Sequence, residues 1–280
     1  MNTIGFPNLG IAPFDVDPTA LSLGPIRVQW YGVIIVLGMI LGAIYAYYRL
    51  REKGMNADNV SDIVLVCVPC GIVGARAYYV LTTLNVYEYR SLYDVVAVWE
   101  GGLAVFGGIL AGMAGLLVVC RVKKYPTLAV FDAMSCGVLI GQILGRWGNF
   151  MNAEAYGVTD SFEFLGHFFP LSGQETGNPL IMTVNGVYAQ PTFLYESVWN
   201  LIGFIGLHFF WKHKKYDGQI LLLYGAWYGL GRALIEGLRA DSLYVGSLRV
   251  SQCLAFGVFV VCVVLLVVFS IKKRAAKQTI

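Results

Sequence analysis

The chain has 280 residues, of which 57% are hydrophobic and only 13% are charged, with a formal net charge of +3 at pH 7. Because soluble domains carry about 25% charged residues, this composition excludes an ordinary soluble protein. The apolar residues form long blocks rather than an alternating pattern, which predicts membrane-spanning helices.

The N-terminus and the cysteines add little to this picture. No basic segment precedes the first apolar block, so we expect no cleaved signal peptide. The six cysteines lie in or near apolar blocks, where cysteine behaves as a small hydrophobic residue. We therefore predict no disulfide framework, and Cys67 and Cys70 form a C-x-x-C without a second pair or a histidine nearby.

Seven blocks have about the length needed to cross roughly 30 Å of hydrocarbon as helices. We predict an all-α integral membrane protein whose residues 1–280 form a single transmembrane catalytic domain. The blocks are Val28–Leu50, Val60–Leu84, Val98–Cys120, Leu128–Trp147, Thr192–Trp211, Gln219–Ile235 and Val250–Ile271.

Basic residues predict the orientation of these spans. Most lysines and arginines follow the odd-numbered blocks, in the segments 49–53, 121–124, 212–215 and 272–277. The remaining loops contain only Arg27, Arg90, Arg239 and Arg249. Since cytoplasmic loops carry the positive charge, the N-terminus is predicted outside and the C-terminus in the cytoplasm.

The longest loop, residues 152–191, contains no lysine or arginine and is predicted to form a small extracytoplasmic cap. Asn178-Pro179 and Asn185-Gly186 are turn signals, and residues 184–188 are expected to form a hairpin tip. On this topology a tag near Gly173 is expected outside the cell. In the third block, Gly101-Gly102, Gly107-Gly108 and Gly112 through Gly115 favour tight helix packing over a break in the helix.

Three arginines, Arg76, Arg146 and Arg232, lie within or at the outer ends of predicted spans. A cation there costs about 3 kcal/mol unless it is paired or hydrated. One interpretation is internal pairing, because Glu236 lies four residues after Arg232 and three before Arg239. The other is a shared polar cavity that faces outward.

Two polar clusters favour a functional site. Arg146, Asn149 and Asn152 share a helix face at the mouth of the fourth span, with Glu154 just beyond, and Tyr228, Arg232, Glu236 and Arg239 make a second such face. Planar guanidinium groups near lipid headgroups suit a phosphate, which they bind through paired hydrogen bonds.

The chain resembles the prolipoprotein diacylglyceryl transferases. Residues Gly145 to Gly157 match the signature G-R-x-G-N-F-x-N-x-E-x-x-G of that family without a mismatch. Other motifs of the family match in order: Trp30-Tyr31-Gly32, Gly74-Ala75-Arg76-Ala77-Tyr78-Tyr79, Trp99-Glu100-Gly101-Gly102-Leu103, Pro191-Thr192-Phe193-Leu194-Tyr195-Glu196 and Arg232-x-x-x-Glu236-x-x-Arg239.

The resemblance implies an enzyme of the bacterial cytoplasmic membrane. It would transfer diacylglyceryl from phosphatidylglycerol to the lipobox cysteine of prolipoprotein signal peptides, form a thioether and release glycerol 1-phosphate. Its partners would be these two substrates and membrane lipids, with no nucleic acid, metal or organic cofactor. The same resemblance implies that Arg146 and Arg232 bind the phosphate, and that fixed guanidinium groups stabilise its developing charge.

The residues implied to form the site fall into two groups. The candidate catalytic residues are Arg146, Arg232, Glu154 and Glu236. The candidate substrate-binding residues are Tyr31, Arg76, Tyr79, Phe106, Asn149, Asn152, Gly157, Tyr228 and Arg239, and Asp132 matches a further family position.

Two positions depart from the family, because Phe106 and Gln190 stand where many members have histidine. The base that removes the thiol proton is therefore unassigned, with Glu154 or Glu236 as candidates and His167 as a weaker one. The alternative function is a transporter or channel for an anionic solute, whose pore would need polar residues through its full depth.

Overall fold

The computed structural model describes residues 1–24, 26–171 and 177–278. The α-helices are α1 (Trp30–Arg51), α2 (Ala57–Thr83), α3 (Leu92–Val96), α4 (Val105–Val122), α5 (Thr127–Asn152), α6 (Thr192–Phe210), α7 (Gln219–Glu236) and α8 (Val250–Gln278). Short 3-10 helices cover Pro7–Leu9, Val98–Glu100 and Trp211–His213.

Six of these helices are long and apolar enough to span a membrane, which confirms a mostly helical membrane protein. They are α1, α2, α4, α5, α6 and α8. The predicted sixth block does form a helix, α7, but this helix is not among the six. Its sequence carries Gln219, Arg232 and Glu236 within 18 residues, so its polar side chains need protein partners.

Two predicted helix boundaries differ from the observed ones. The third block begins as helix only at Val105, because Gly101 and Gly102 adopt positive φ angles of 92° and 70° and turn the chain before it. The fourth block continues as α5 to Asn152, five residues beyond the predicted end at Trp147. Arg146, Asn149 and Asn152 therefore do share one helix.

Short β-strands also form, and of these only the hairpin around residues 184–188 was predicted. They are β1 (Asn2–Phe6), β2 (Ile11–Val16), β3 (Thr19–Leu23), β4 (Ile26–Gln29), β5 (Ser161–Phe164), β6 (His167–Pro170), β7 (Met182–Val184), β8 (Val187–Ala189), β9 (Tyr244–Val245) and β10 (Leu248–Arg249).

The predicted hairpin tip is confirmed. β7 and β8 pair antiparallel, and Asn185 and Gly186 join them with φ angles of 50° and 84°, as a two-residue hairpin turn requires. β7 also pairs with β1, which makes a four-stranded sheet in the order β2-β1-β7-β8. A small apolar core of Met182, Val184, Ala189 and Phe193 lies under this sheet. The tag position Gly173 lies outside the described residues.

The chain divides into two compact units. The first comprises Met1–Ile44 and Met134–Ile280, and the second comprises Tyr45–Ala133. In the second unit, α2 and α4 approach at Gly74 and Gly107, where a Cβ on Gly74 would lie 2.6 Å from the Gly107 carbonyl oxygen. The predicted tight packing by glycines of the third block is therefore confirmed at Gly107.

In the first unit, α1 and α5 approach through glycines. A Cβ on Gly42 would lie 2.6 Å from the carbonyl oxygen of Gly137, and a Cβ on Gly137 would lie 2.7 Å from that of Gly42. Backbone atoms cannot move aside as a flexible side chain can. This contact sets the position of α5, the helix that carries Arg146.

We predict that Gly137→Ala lowers the free energy of unfolding by about 1 to 3 kcal/mol, because α1 and α5 must separate to admit the methyl group. Gly141→Ala, one turn further along α5, is the matched control, since nothing lies within 4 Å of its added Cβ. It should be neutral or stabilising by up to about 1 kcal/mol. Thermal unfolding in detergent micelles measures both, and equal midpoints would contradict the packing argument.

Candidate active site

Two arginines from different helices share one buried carboxylate in the first unit. Glu196 of α6 lies with Oε1 2.6 Å from Nη2 of Arg146 on α5, and its Oε2 accepts a hydrogen bond of 2.9 Å from Nη1 of Arg232 on α7. Nη2 of Arg232 also pairs with Oε2 of Glu236, at 2.5 Å. The four side chains form a continuous cluster of alternating charge, which we call the arginine–glutamate cluster.

The register of the helices produces this cluster. Trp147 lies against Phe193 and donates to Ser197 at 3.2 Å, so α5 and α6 run antiparallel with Arg146 level with Glu196. The rings of Trp199 on α6 and Trp227 on α7 stack at 4.4 Å, and each indole N–H donates to the other residue's carbonyl. Three helices are thereby held at the level where the charges meet.

The exposure of the charged groups is uneven. The side chains of Glu196 and Glu236 are 2% exposed, whereas those of Arg146 and Arg232 are 19% and 16% exposed. The carboxylates are therefore buried more deeply than the guanidinium groups. Pairing offsets the cost of burying the four charges, and the outer edges of the guanidinium groups stay accessible to a ligand.

The signature segment extends this cluster beyond the end of α5. Arg146 Nη1 donates to Asn149 Oδ1 at 3.2 Å, and the amides of Asn149 and Asn152 donate to Glu154 Oε1 at 3.0 and 3.2 Å. Ala153 adopts φ 52° in the turn after the helix, and this turn brings Glu154 back over the last helical turn. Glu154 itself is exposed, so its carboxylate is available to a substrate.

Gly157 joins three segments of backbone. It exchanges two 2.9 Å hydrogen bonds with Gln190 and forms an isolated bridge with Arg239. A Cβ on Gly157 would lie 2.8 Å from Cβ of Gln190 and 2.9 Å from the Leu238 carbonyl oxygen. The glycine therefore allows the segment after α5 to pass between the backbone segments that contain Gln190 and Leu238.

Arg239 and Arg249 hold the segment that follows α7. Arg239 binds both oxygens of Asp241 at 2.9 and 2.7 Å, and its Nε lies 3.8 Å from Glu236. Burial alone would raise the pKa of the Asp241 carboxyl, but Arg239 holds that pKa below its usual range. Arg249 Nη1 donates to Ser242, whose hydroxyl donates to Glu236 at 2.8 Å.

Two candidate tyrosines also lie in the first unit. Tyr31 begins α1 and is 37% exposed; a Cβ on Gly148 would approach its ring to 2.5 Å, so that glycine lets the ring lie against α5. Tyr228 lies on α7, one turn before Arg232. Its phenol is close enough to the charges of Glu196, Arg232 and Arg146 to interact with them. Both positions fit the predicted site.

The candidates in the second unit have their own surroundings. Arg76 donates to the backbone carbonyls of residues 94, 95, 101 and 102 at 2.6 to 3.0 Å and is 9% exposed. Its guanidinium lies 5.6 Å from the ring centroid of Tyr79. Phe106 is 43% exposed in the first turn of α4, and Asp132 is fully buried. Arg76 therefore anchors the loop between α2 and α4.

Known proteins share the sequence of this chain over most of its length. The family model of prolipoprotein diacylglyceryl transferases matches residues 18–268. A phosphatidylglycerol–prolipoprotein diacylglyceryl transferase of Streptococcus uberis is 37% identical over 94% of this chain and 97% of its own length. The chain belongs to the prolipoprotein diacylglyceryl transferase family.

Two further relatives carry the same description. A protein of Clostridium kluyveri is 41% identical over 86% of this chain and 92% of its own length. One of Lactobacillus delbrueckii subsp. bulgaricus is 39% identical over 92% of this chain and 93% of its own length. The likeness therefore covers nearly the whole chain in each case.

The glutamine that stands where many family members have histidine is held by neighbours. Gln190 is 3% exposed, and its Oε1 accepts hydrogen bonds from the Asn178 amide at 2.9 Å and the Tyr195 hydroxyl at 2.8 Å. The Asn178 amide also donates to the Tyr195 hydroxyl at 3.0 Å. Gln190 therefore connects Asn178 to Tyr195 in the first turn of α6. His167 lies on the exposed strand β6.

The sequence interpretation missed Glu196 and Arg249 as site residues. Glu196 stood within a family motif, but a single glutamate in an apolar block gives no indication of its two partners. Arg249 was counted only as a loop cation, yet it is 5% exposed and also donates to Glu163 at 3.0 Å. The usable signal was that Glu196 is the acidic residue of the fifth predicted span, and a cation within a span needs such a partner.

Proposed function

We propose that the protein transfers the diacylglyceryl group of phosphatidylglycerol to the cysteine thiol of lipoprotein precursors. The observation that carries the proposal is the arginine–glutamate cluster, in which two arginines from different helices present their guanidinium edges beside the signature segment. The names of the relatives support the same reaction and not a transporter or channel. No observation favours the alternative.

The reaction is a substitution at carbon. The cysteine sulfur attacks the glycerol carbon that carries the phosphate, a C–S bond forms, and the C–O bond breaks with its electron pair on the phosphate oxygen. Glycerol 1-phosphate leaves with one more negative charge than the phosphodiester had, before any proton is added. Arg146 and Arg232 stabilise that charge, and scarce water strengthens the effect.

Glu154 is the better of the two candidate bases. It is exposed, and among the described residues only its Oε1 accepts hydrogen bonds, from Asn149 and Asn152. Glu236 is 2% exposed and already pairs with Arg232 and Ser242. In our proposal the thiol proton therefore moves to Glu154 as the C–S bond forms.

We further propose seven spans in the bacterial cytoplasmic membrane, with the N-terminus outside, residues 152–191 as an extracytoplasmic cap and one catalytic domain. The packing of α7 supports a seventh span. It stacks on α6 through Trp199 and Trp227, and a Cβ on its Gly229 would lie 2.7 Å from the Ala255 carbonyl oxygen of α8. Arg232, the cation of α7, also has its partner Glu196 on the neighbouring α6.

The function is tested by product release. Purified protein in phosphatidylglycerol vesicles should release glycerol phosphate only when a lipobox peptide with one cysteine is present. The peptide should gain the mass of a diacylglyceryl group. The same peptide with serine in place of cysteine is the control. Release without peptide, or equal release with both peptides, would contradict the proposal.

We predict that Arg146→Lys and Arg232→Lys each lower kcat/KM at least about 100-fold, although the charge is kept. A point ammonium cannot hold Glu196 and a phosphate together as a planar guanidinium does. Arg90→Lys is the matched control, since Arg90 is 83% exposed and pairs only with Glu88 among the described residues. Near wild-type rates for both site variants would remove the phosphate assignment.

We predict that Glu154→Gln lowers the rate at pH 7 by about 100-fold. Its rate should then rise toward pH 8.5, where the free thiol ionises without a base. Glu236→Gln should lose activity without this steeper pH dependence, because it disturbs Arg232 rather than proton removal. Initial rates against pH for the three proteins provide the measurement, and parallel profiles would argue against Glu154 as the base.

The proposed orientation predicts the accessibility of two tags. An epitope inserted between Asn185 and Gly186, at the exposed β7–β8 turn, should be labelled on intact cells from which any outer barrier has been removed. An epitope between Lys214 and Lys215 should be labelled only after the membrane is permeabilised. The reverse pattern would overturn the orientation.

A further inference from the structure

The charges of the arginine–glutamate cluster are balanced. Arg146 and Arg232 carry two positive charges, and Glu196 and Glu236 carry two negative ones. Glu196 contacts both arginines, whereas Glu236 contacts Arg232 and also lies 3.8 Å from Arg239. Removal of the Glu196 charge alone would leave this pair of arginines with an excess of one positive charge.

Glu196 is also buried more deeply than the two arginines that it contacts. Its side chain is 2% exposed, behind guanidinium groups that are 19% and 16% exposed. A phosphate that binds the outer edges of Arg146 and Arg232 would therefore have Glu196 on the far side of both. The carboxylate then acts on the phosphate through charge rather than through contact.

We infer that Glu196 is a positioning residue whose negative charge limits the affinity of the two arginines for anions, and so permits release of the phosphate product. The inference rests on the proposed function and extends it. The substrate phosphodiester carries one negative charge, whereas a phosphate monoester carries about 1.5 to 2 at pH 7. A fixed negative charge nearby therefore disfavours the product more than the substrate.

The geometry gives Glu196 a second effect. By pairing with Nη2 of Arg146 and Nη1 of Arg232, it sets the separation and orientation of the two guanidinium planes. Charge and geometry are separable by substitution. Glu196→Gln keeps the size and removes the charge, whereas Glu196→Asp keeps the charge and shortens the side chain by one methylene.

The experiment measures inhibition by glycerol 1-phosphate together with kcat and KM. For Glu196→Gln, the inhibition constant should fall at least about tenfold, because loss of a unit negative charge within a few Å of a partly buried anion is worth that much or more. Its kcat should fall as well. For Glu196→Asp, the inhibition constant should stay within about threefold of the wild type while kcat falls through altered geometry.

A damaged site would give the opposite sign, since disordered arginines bind anions less well. An unchanged or raised inhibition constant in the glutamine variant would therefore overturn the inference. If the glutamine variant is not recovered folded, the aspartate variant decides: a rise above about tenfold would show that geometry alone sets anion affinity. Glu88→Gln is the control, because Glu88 pairs with the exposed Arg90 and contacts neither Arg146 nor Arg232 among the described residues.

Failure of the proposed function remains distinguishable. Turnover by the wild-type protein with the cysteine peptide tests that function without reference to Glu196. If the wild type shows no turnover, direct binding of radiolabelled glycerol 1-phosphate to the detergent-solubilised protein still compares the variants. Tighter binding by the glutamine variant would support the inference, and equal or weaker binding would reject it.

Discussion

A cation inside an apolar helix bundle needs a fixed partner, and a buried anion is the strongest one. Glu196 meets this requirement for two arginines at once, at 2.6 and 2.9 Å. Because Arg146 and Arg232 lie on different helices, the pairing works only when α5, α6 and α7 stand in one register. The stacked pair of Trp199 and Trp227 and the hydrogen bond from Trp147 hold that register.

A network of ion pairs and hydrogen bonds connects the cluster to strand β5. Glu236 pairs with Nη2 of Arg232 and accepts a hydrogen bond from Ser242. Arg249 donates to Ser242 and to Glu163 on β5. The segment after α7 is thus held by charged hydrogen bonds at both ends. The signature segment is fixed from the other side, by Gly157 between Gln190 and Leu238.

Much of the helical framework could be predicted, because blocks of apolar residues specify bilayer spans directly. Arg146, Arg232 and Glu236 were also predictable, since helical spacing relates them to neighbours within one helix. The partner of Arg146 was not, because Glu196 is 50 residues away and only the packing of α6 brings it near. The pairing of β1 with β7, about 180 residues later, was unpredictable for the same reason. The pairing of β3 with β4 is local and was missed.

Phe106 and Gln190 stand where the family resemblance leads us to expect histidine, so another group must take the thiol proton. Gln190 has a structural role, because its side-chain oxygen accepts hydrogen bonds from Asn178 and from Tyr195 on α6. An amide suits that position as a hydrogen-bonding group, but it neither gains nor loses a proton near neutral pH and cannot serve as the base. Proton removal must then occur elsewhere. Of the two carboxylates predicted as candidates, Glu236 is enclosed by cations and Glu154 lies open beside Asn149, which itself contacts Arg146. Asn149 thus links the proposed base, Glu154, to the proposed phosphate-binding residue, Arg146, so a change in one of them should affect the other.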